Sequence, residues 1–96
     1  MRNIKLYPMV GGFAENKDLA RKIRLENIIP ELEEGREVAL DFDGVNTATQ
    51  SFIHALLSDL IRKYGIEVLD MLYFKNCNET VRNIITMVTD YMQEVE

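Results

Sequence analysis

Val38-Ala39-Leu40-Asp41-Phe42-Asp43-Gly44-Val45-Asn46-Thr47-Ala48-Thr49-Gln50-Ser51-Phe52 is the stretch whose reading decides the fold. Val38 to Phe42 is a short apolar run behind Gly35, a helix stop, and it predicts a strand buried on both faces. Asp43-Gly44 is a turn dipeptide, and Asp41 is expected to accept backbone hydrogen bonds in that turn. Thr47 and Gln50 have the Thr-x-x-Gln spacing of a capping box and predict a helix start. Phe52, Ile53, Leu56, Leu57, Leu60, Ile61 and Tyr64 then form a broad apolar stripe at helical spacing. Arg62 and Lys63 suit its last turn and Gly65 its C-cap.

Working outward, the same alternation recurs. Ile4 to Val10 reads as a weak first strand, with Pro8 at an edge or strand end and Gly11-Gly12 closing it. Asn16 is a good N-cap for a helix carrying Leu19, Ala20, Ile23 and Ile28 on one face. Pro30 lacks an N–H and clashes one turn back, so that helix is expected to stop before it. Pro30 to Glu34 then forms a short further turn, stopped by Gly35. Glu67 to Phe74 reads as a third strand. Asn78 caps a third helix with Glu79 in its first turn and an apolar stripe of Val81, Ile84, Ile85, Val88, Tyr91, Met92 and Val95. The order β-α-β-α-β-α predicts a small α/β domain, with a parallel or mixed sheet of three or four strands and right-handed helical crossovers. In such sheets binding gathers where strands end and helices begin. Here that rim holds Asp41 to Ser51, Asn76 to Glu79 and the Gly11 to Asn16 loop.

Composition narrows the function classes. The 96 residues are 47% hydrophobic and 28% charged, enough for one modest core. Eleven Lys and Arg against sixteen Asp and Glu give a net charge of −5. A chain of that sign matches neither phosphate backbones nor anionic lipid, so no nucleic-acid or membrane partner is expected. Cys77 stands alone, which excludes an internal disulfide and a cysteine-based zinc site. The uncharged run from Val45 to Leu57 is half polar, and Met-Arg-Asn-Ile-Lys has no apolar signal core. A cytoplasmic protein is the expectation.

Other single residues have plain readings. His54 lies beside the apolar stripe with no His or Cys near it in sequence, and is expected at or near the surface rather than as a ligand. Cys77 is expected as a buried thiol, although exposure near the third helix would favour its thiolate. Lys17, Arg21, Lys22 and Arg24 read as a solvated face with helix ion pairs, at most one side of a contact with an acidic partner. The apolar face of the third helix, ending in Met92 and Val95, is wide enough for a dimer or partner surface.

Two family resemblances attach to the central stretch. Asp41-Phe42-Asp43-Gly44-Val45 resembles the nucleophile motif of haloacid-dehalogenase-type phosphatases. That resemblance implies attack on phosphorus by Asp41, acid/base work by Asp43 and Mg²⁺ between carboxylates and phosphate. The third strand ends Phe74-Lys75-Asn76-Cys77, without the acidic pair which that chemistry uses. The second resemblance covers about Phe13 to Met87. Val38 to Val45, Thr47-Ala48-Thr49-Gln50-Ser51-Phe52, Asn76-Cys77-Asn78-Glu79-Thr80-Val81 and Leu19-Ala20-Arg21-Lys22-Ile23 together look like the STAS-like family of otherwise undefined function. That family is related to the STAS domains of anti-sigma factor antagonists.

The second resemblance implies a single STAS-like domain over residues 1–96. It also implies a regulatory, non-catalytic module without cofactor or metal. In regulatory STAS proteins a partner kinase phosphorylates a Ser at the start of the helix after Asp-x-Gly-Val, and the matching position is Ser51. Thr49-Gln50 precede it where the motif has Asp-Ser, and Phe52 follows where the motif has Gly. Asp43, Thr49, Gln50 and Ser51 are thus the expected partner-binding residues, with Ser51 the candidate phosphosite. The expected partner is an ATP-binding kinase-like or anti-sigma-type regulator, or a second copy. The plainer reading is that Thr47, Thr49 and Ser51 only cap and open the helix. A minimal Mg²⁺-dependent phosphotransfer enzyme built on Asp41 and Asp43 is the alternative from another class. A structural subunit that assembles through the third helix is a third.

Overall fold

The computed structural model describes residues 1–94. Along the chain run β1 (Arg2–Lys5), α1 (Tyr7–Val10), β2 (Phe13–Ala14) and α2 (Lys17–Ile23). A π-helical turn (Arg24–Ile28) leads into α3 (Ile29–Glu33), then β3 (Val38–Asp41), β4 (Thr47–Ala48) and α4 (Gln50–Tyr64). A 3₁₀ helix (Ile66–Met71), β5 (Leu72–Lys75) and α5 (Glu79–Glu94) complete it. The α/β class expected from the sequence is the one found. β1, β3 and β5 form one parallel sheet in that order, and β2 pairs with β4 in a second, also parallel.

That strand order has a geometric consequence. Both crossovers, β1 to β3 and β3 to β5, step the same way across the sheet. Right-handed crossovers that step the same way place their helices on the same face. Ile4, Val38, Leu40 and Leu72 are buried on that covered face. The opposite face carries the in-register rows Asn3, Ala39, Tyr73 and Lys5, Asp41, Lys75. Ala39 is nonetheless fully buried, because its neighbours shield it. Tyr73 donates its hydroxyl to the carboxylate of Glu37, the residue before the central strand, at 2.7 Å.

α4 lies at the centre of the helical layer. Phe52, Ile53, Leu56, Leu57, Leu60 and Ile61 are all buried, as their spacing predicted. Each such side chain contributes roughly 1.5–3 kcal/mol when withdrawn from water. Arg62 and Lys63 occupy the last turn, and Gly65 caps it with φ 85°.

Four boundaries differ from the sequence expectation. The first strand ends at Lys5, and Tyr7 to Val10 form a helical turn with Pro8 at its start, where a missing N–H costs nothing. Pro30 does not end the helix before it. The backbone stays helical through Ile28 and Ile29, and the Ile29 amide bonds back to the Arg24 carbonyl, one residue further than in an α-helix. The wider turn gives the proline ring the room that α-geometry denies it. Thr47 belongs to β4, and Thr49 caps α4 instead, accepting from the Phe52 amide at 3.0 Å. Of the third strand expected over Glu67 to Phe74, only Leu72 onward is extended. The segment before it coils as a 3₁₀ helix that buries Val68 against the core.

The basic cluster also divides. Arg24 is not solvated: it is 7% exposed and wedged between α2 and α4. It donates to the Ala55 carbonyl and pairs with Asp59 at 3.0 Å, while its Nε has no partner. A buried guanidinium with one orphaned N–H gains little over a well-packed apolar side chain. Arg24→Met is therefore expected to change the unfolding free energy by less than about 1 kcal/mol. Arg24→Ala, which also removes the packed stem, is expected to cost about 2 kcal/mol or more. Urea unfolding followed by circular dichroism reads both.

Candidate functional site

The rim at the carboxyl ends of β3 and β5 is organised by Asp41. Its Oδ1 accepts from the Asp43 amide and from Asn76 Nδ2, each at 2.9 Å. The first bond is the expected turn bond, and the second ties the end of β3 to the end of β5. Asp41 also stands in register between Lys5 and Lys75. The Asn76 and Asp43 bonds, with lesser help from Asn3 and Lys5, hold its carboxyl below the usual carboxylate range. Asn76 has φ 57°, the left-handed region that asparagine tolerates better than most residues.

Two more contacts fix the loops around it. Gly44 has φ 91°, and a Cβ there would meet the Tyr7 ring at 2.8 Å. The Phe42 carbonyl accepts from the Val45 amide at 2.9 Å, closing the Asp43-Gly44 turn beneath that ring. Asn78 caps α5 as expected, its Oδ1 accepting from the Val81 amide at 2.8 Å. Its Nδ2 donates to the Asn46 carbonyl at 2.7 Å, so the same side chain clamps the loop before β4. Nothing in the sequence beyond an asparagine-rich segment after a strand points to the Asn76 and Tyr7 contacts or to the Asn78 clamp on Asn46.

The expected partner-binding residues fall into two groups. Thr49 is half-buried and its hydroxyl is used as the cap of α4. Gln50 and Ser51 are exposed and are the first two residues of that helix. They open onto a groove of about 530 Å³ between α4 and α5, whose other walls include Lys17, His54, Met87 and Tyr91. Gln50 Nε2 lies 2.8 Å from Met87 Sδ. Asp43 is exposed on the turn after β3 and is not part of the groove lining. Met87 falls outside the apolar stripe expected of α5 and Tyr91 counts in it, so the spacing marks neither as groove surface. In the fold they are 51% and 58% exposed, while Met92 is buried. Val95 lies outside the described residues.

His54 is half-buried in the groove wall. Cys77 is half-buried, and burial pushes its thiol up, against a smaller opposite effect of Arg82. This fits the expected quiet thiol rather than a stabilised thiolate. Among the described residues no three His, Cys, Asp or Glu side chains gather to hold a metal ion. Among them, too, no helix is long and apolar enough to cross a membrane.

A compact α/β fold with a strand-turn-helix rim of this kind defines a class of small domains. The family model described as a STAS-like domain of unknown function matches residues 20–82, and the chain belongs to that family. The match runs from the middle of α2 to the first turns of α5 and includes the whole Asp41 to Ser51 segment. No curated protein and no solved structure matches the chain significantly.

Asp41 makes stability depend on acid in a predictable direction. Its folded-state pKa lies below its ordinary value, so its contribution is present above about pH 4 and is lost as pH falls through the folded-state value. Asp41→Asn is expected to flatten the acid side of the stability profile, measured by urea unfolding at stepped pH. At Asn76 the backbone and the side chain separate cleanly. Asn76→Gly, which keeps the left-handed backbone, is expected to cost about 1–2 kcal/mol, and Asn76→Ala about 1 kcal/mol more.

Proposed function

We propose that this STAS-like domain is a non-catalytic regulatory module that binds a protein partner through the start of α4, with phosphorylation of Ser51 as its switch. The observation that carries the reading is the state of Ser51. It is exposed at the second position of a 15-residue helix, at the mouth of a groove. Among the described residues no hydrogen bond engages its hydroxyl. A helix N-terminus accommodates a phosphate through unpaired amides and the positive end of the helix dipole. Adding nearly two negative charges there changes what the surface binds.

Gln50 forms the contact surface with Ser51. Asp43, exposed on the preceding turn, and the outward side of Thr49 extend it. The partner class that the family resemblance favours is an ATP-binding kinase-like or anti-sigma-type regulator. The alternative of Mg²⁺-dependent phosphotransfer by Asp41 and Asp43 has no such supporting observation. Asp41 is buried and already carries two hydrogen bonds on one oxygen.

Purification of the tagged chain from its native cells, with mass spectrometry of the bound protein, tests the reading. The expected result is an ATP-binding partner retained by wild type and Ser51→Ala and lost by Ser51→Asp. Phosphate on Ser51 is expected in the partner-free fraction. A chain that emerges alone and unmodified from every preparation would remove the reading.

A further inference from the structure

The groove beside α4 has two unlike walls. On the α5 side Met87 and Tyr91 stand half exposed, with Val88 behind them. On the α2 side the groove is lined by Lys17, the one charged residue of its lining among the described residues. Arg21 follows one turn later on the same helix face and is exposed. The next residue of that row, Arg24, is turned inward and paired with Asp59. Between the walls lies the start of α4, where Gln50 and Ser51 present amides that an α-helix leaves without an internal partner. Among the described residues no carboxylate lines the groove, although the chain carries five excess negative charges.

Charge complementarity and the apolar wall together select an occupant. We infer that the groove takes a segment of the partner protein presenting one or two large apolar side chains flanked by carboxylates. The inference rests on the partner-binding reading above and gives that partner its chemistry. The apolar side chains cover Met87 and Tyr91, and the carboxylates face Lys17, Arg21 and the amide end of α4. The sign of the switch follows. A phosphate on Ser51 turns the positive mouth of the groove negative, which repels an acidic segment and would attract a basic one. Only an acidic occupant makes phosphorylation a release signal.

Two short amphipathic peptides with identical leucine positions, one with glutamates on its polar face and one with lysines, test this directly. Each is titrated into the isotope-labelled full chain while backbone amide shifts are followed by NMR. The glutamate peptide is expected to move the amides of Lys17, Ser51, His54 and Met87 and to bind about tenfold tighter than the lysine peptide. Lys17→Glu is expected to reverse that preference. Ser51→Asp is expected to weaken the glutamate peptide several-fold and strengthen the lysine one. Equal or tighter binding of the lysine peptide overturns the inference, and so do shifts that map outside the groove or the absence of binding by either peptide. Concentration-dependent shifts of the same amides without peptide also overturn it, in favour of a second copy as occupant. A cellular complex lost on Ser51→Asp, together with no advantage for the glutamate peptide, sinks this inference and leaves the partner reading standing. Glutamate-peptide binding without any cellular complex does the reverse.

Discussion

One buried carboxylate ties together the rim at the carboxyl ends of the strands. Asp41 ends the central strand, and its Oδ1 takes hydrogen bonds from the next turn and from the end of the neighbouring strand. These add to the backbone bonds from the Leu6 amide to the Asp41 carbonyl and from the Phe42 amide to the Lys75 carbonyl, which join the same strand ends. Lys5, in register beside Asp41, offsets part of the cost of withdrawing the charge from water. The turn that Asp41 fixes then runs under Tyr7, through Gly44, into β4 and so to the cap of α4. The position of Ser51 is thus a downstream consequence of one side chain on the central strand.

Much of this was legible in the residues. The apolar run Val38 to Phe42, the stripe of α4, the Asn16 and Asn78 caps and the Asp41 turn each express a local rule strong enough to survive folding. What failed were boundaries where two local rules compete. Thr47 and Thr49 both suit an N-cap, and pairing of Thr47 and Ala48 with Phe13 and Ala14 decides between them. Pro30 obeys its steric rule, but the chain answers by widening a helical turn rather than breaking it. Glu67 to Met71 has strand-like composition and still coils, because a 3₁₀ turn buries Val68 where an extended chain would overshoot the sheet. Such outcomes depend on tertiary neighbours, and no window of sequence contains them.

The candidate site was legible to a different degree. The start of α4 follows from the strand-turn-helix order alone. The groove does not, because it needs α2, α4 and α5 at once. Lys17 belongs to it only because α2 packs along α4, and Met87 and Tyr91 only because α5 leaves that flank uncovered. Arg24 gives the converse lesson. One turn beyond Arg21 on a face that reads as solvated, it turns inward to the Ala55 carbonyl and Asp59 of α4.

Asp41, the carboxylate that most resembles a catalytic nucleophile, is one the fold has already employed. Asp41 is committed to two hydrogen bonds, and the amide of Asp43 is one of their donors. Asn76 and Asn78, the polar groups nearest them on the rim, are likewise engaged. Unengaged polarity and exposed apolar surface instead coincide one step further on, at the Ser51 hydroxyl and along Met87 to Tyr91. A polar group that folding does not use, beside apolar surface that folding does not cover, is where an external contact gains most. Water has less hold on the apolar part, and no internal bond must break for the polar part to engage. By that argument the proposed contact falls at the start of α4 rather than at the end of β3.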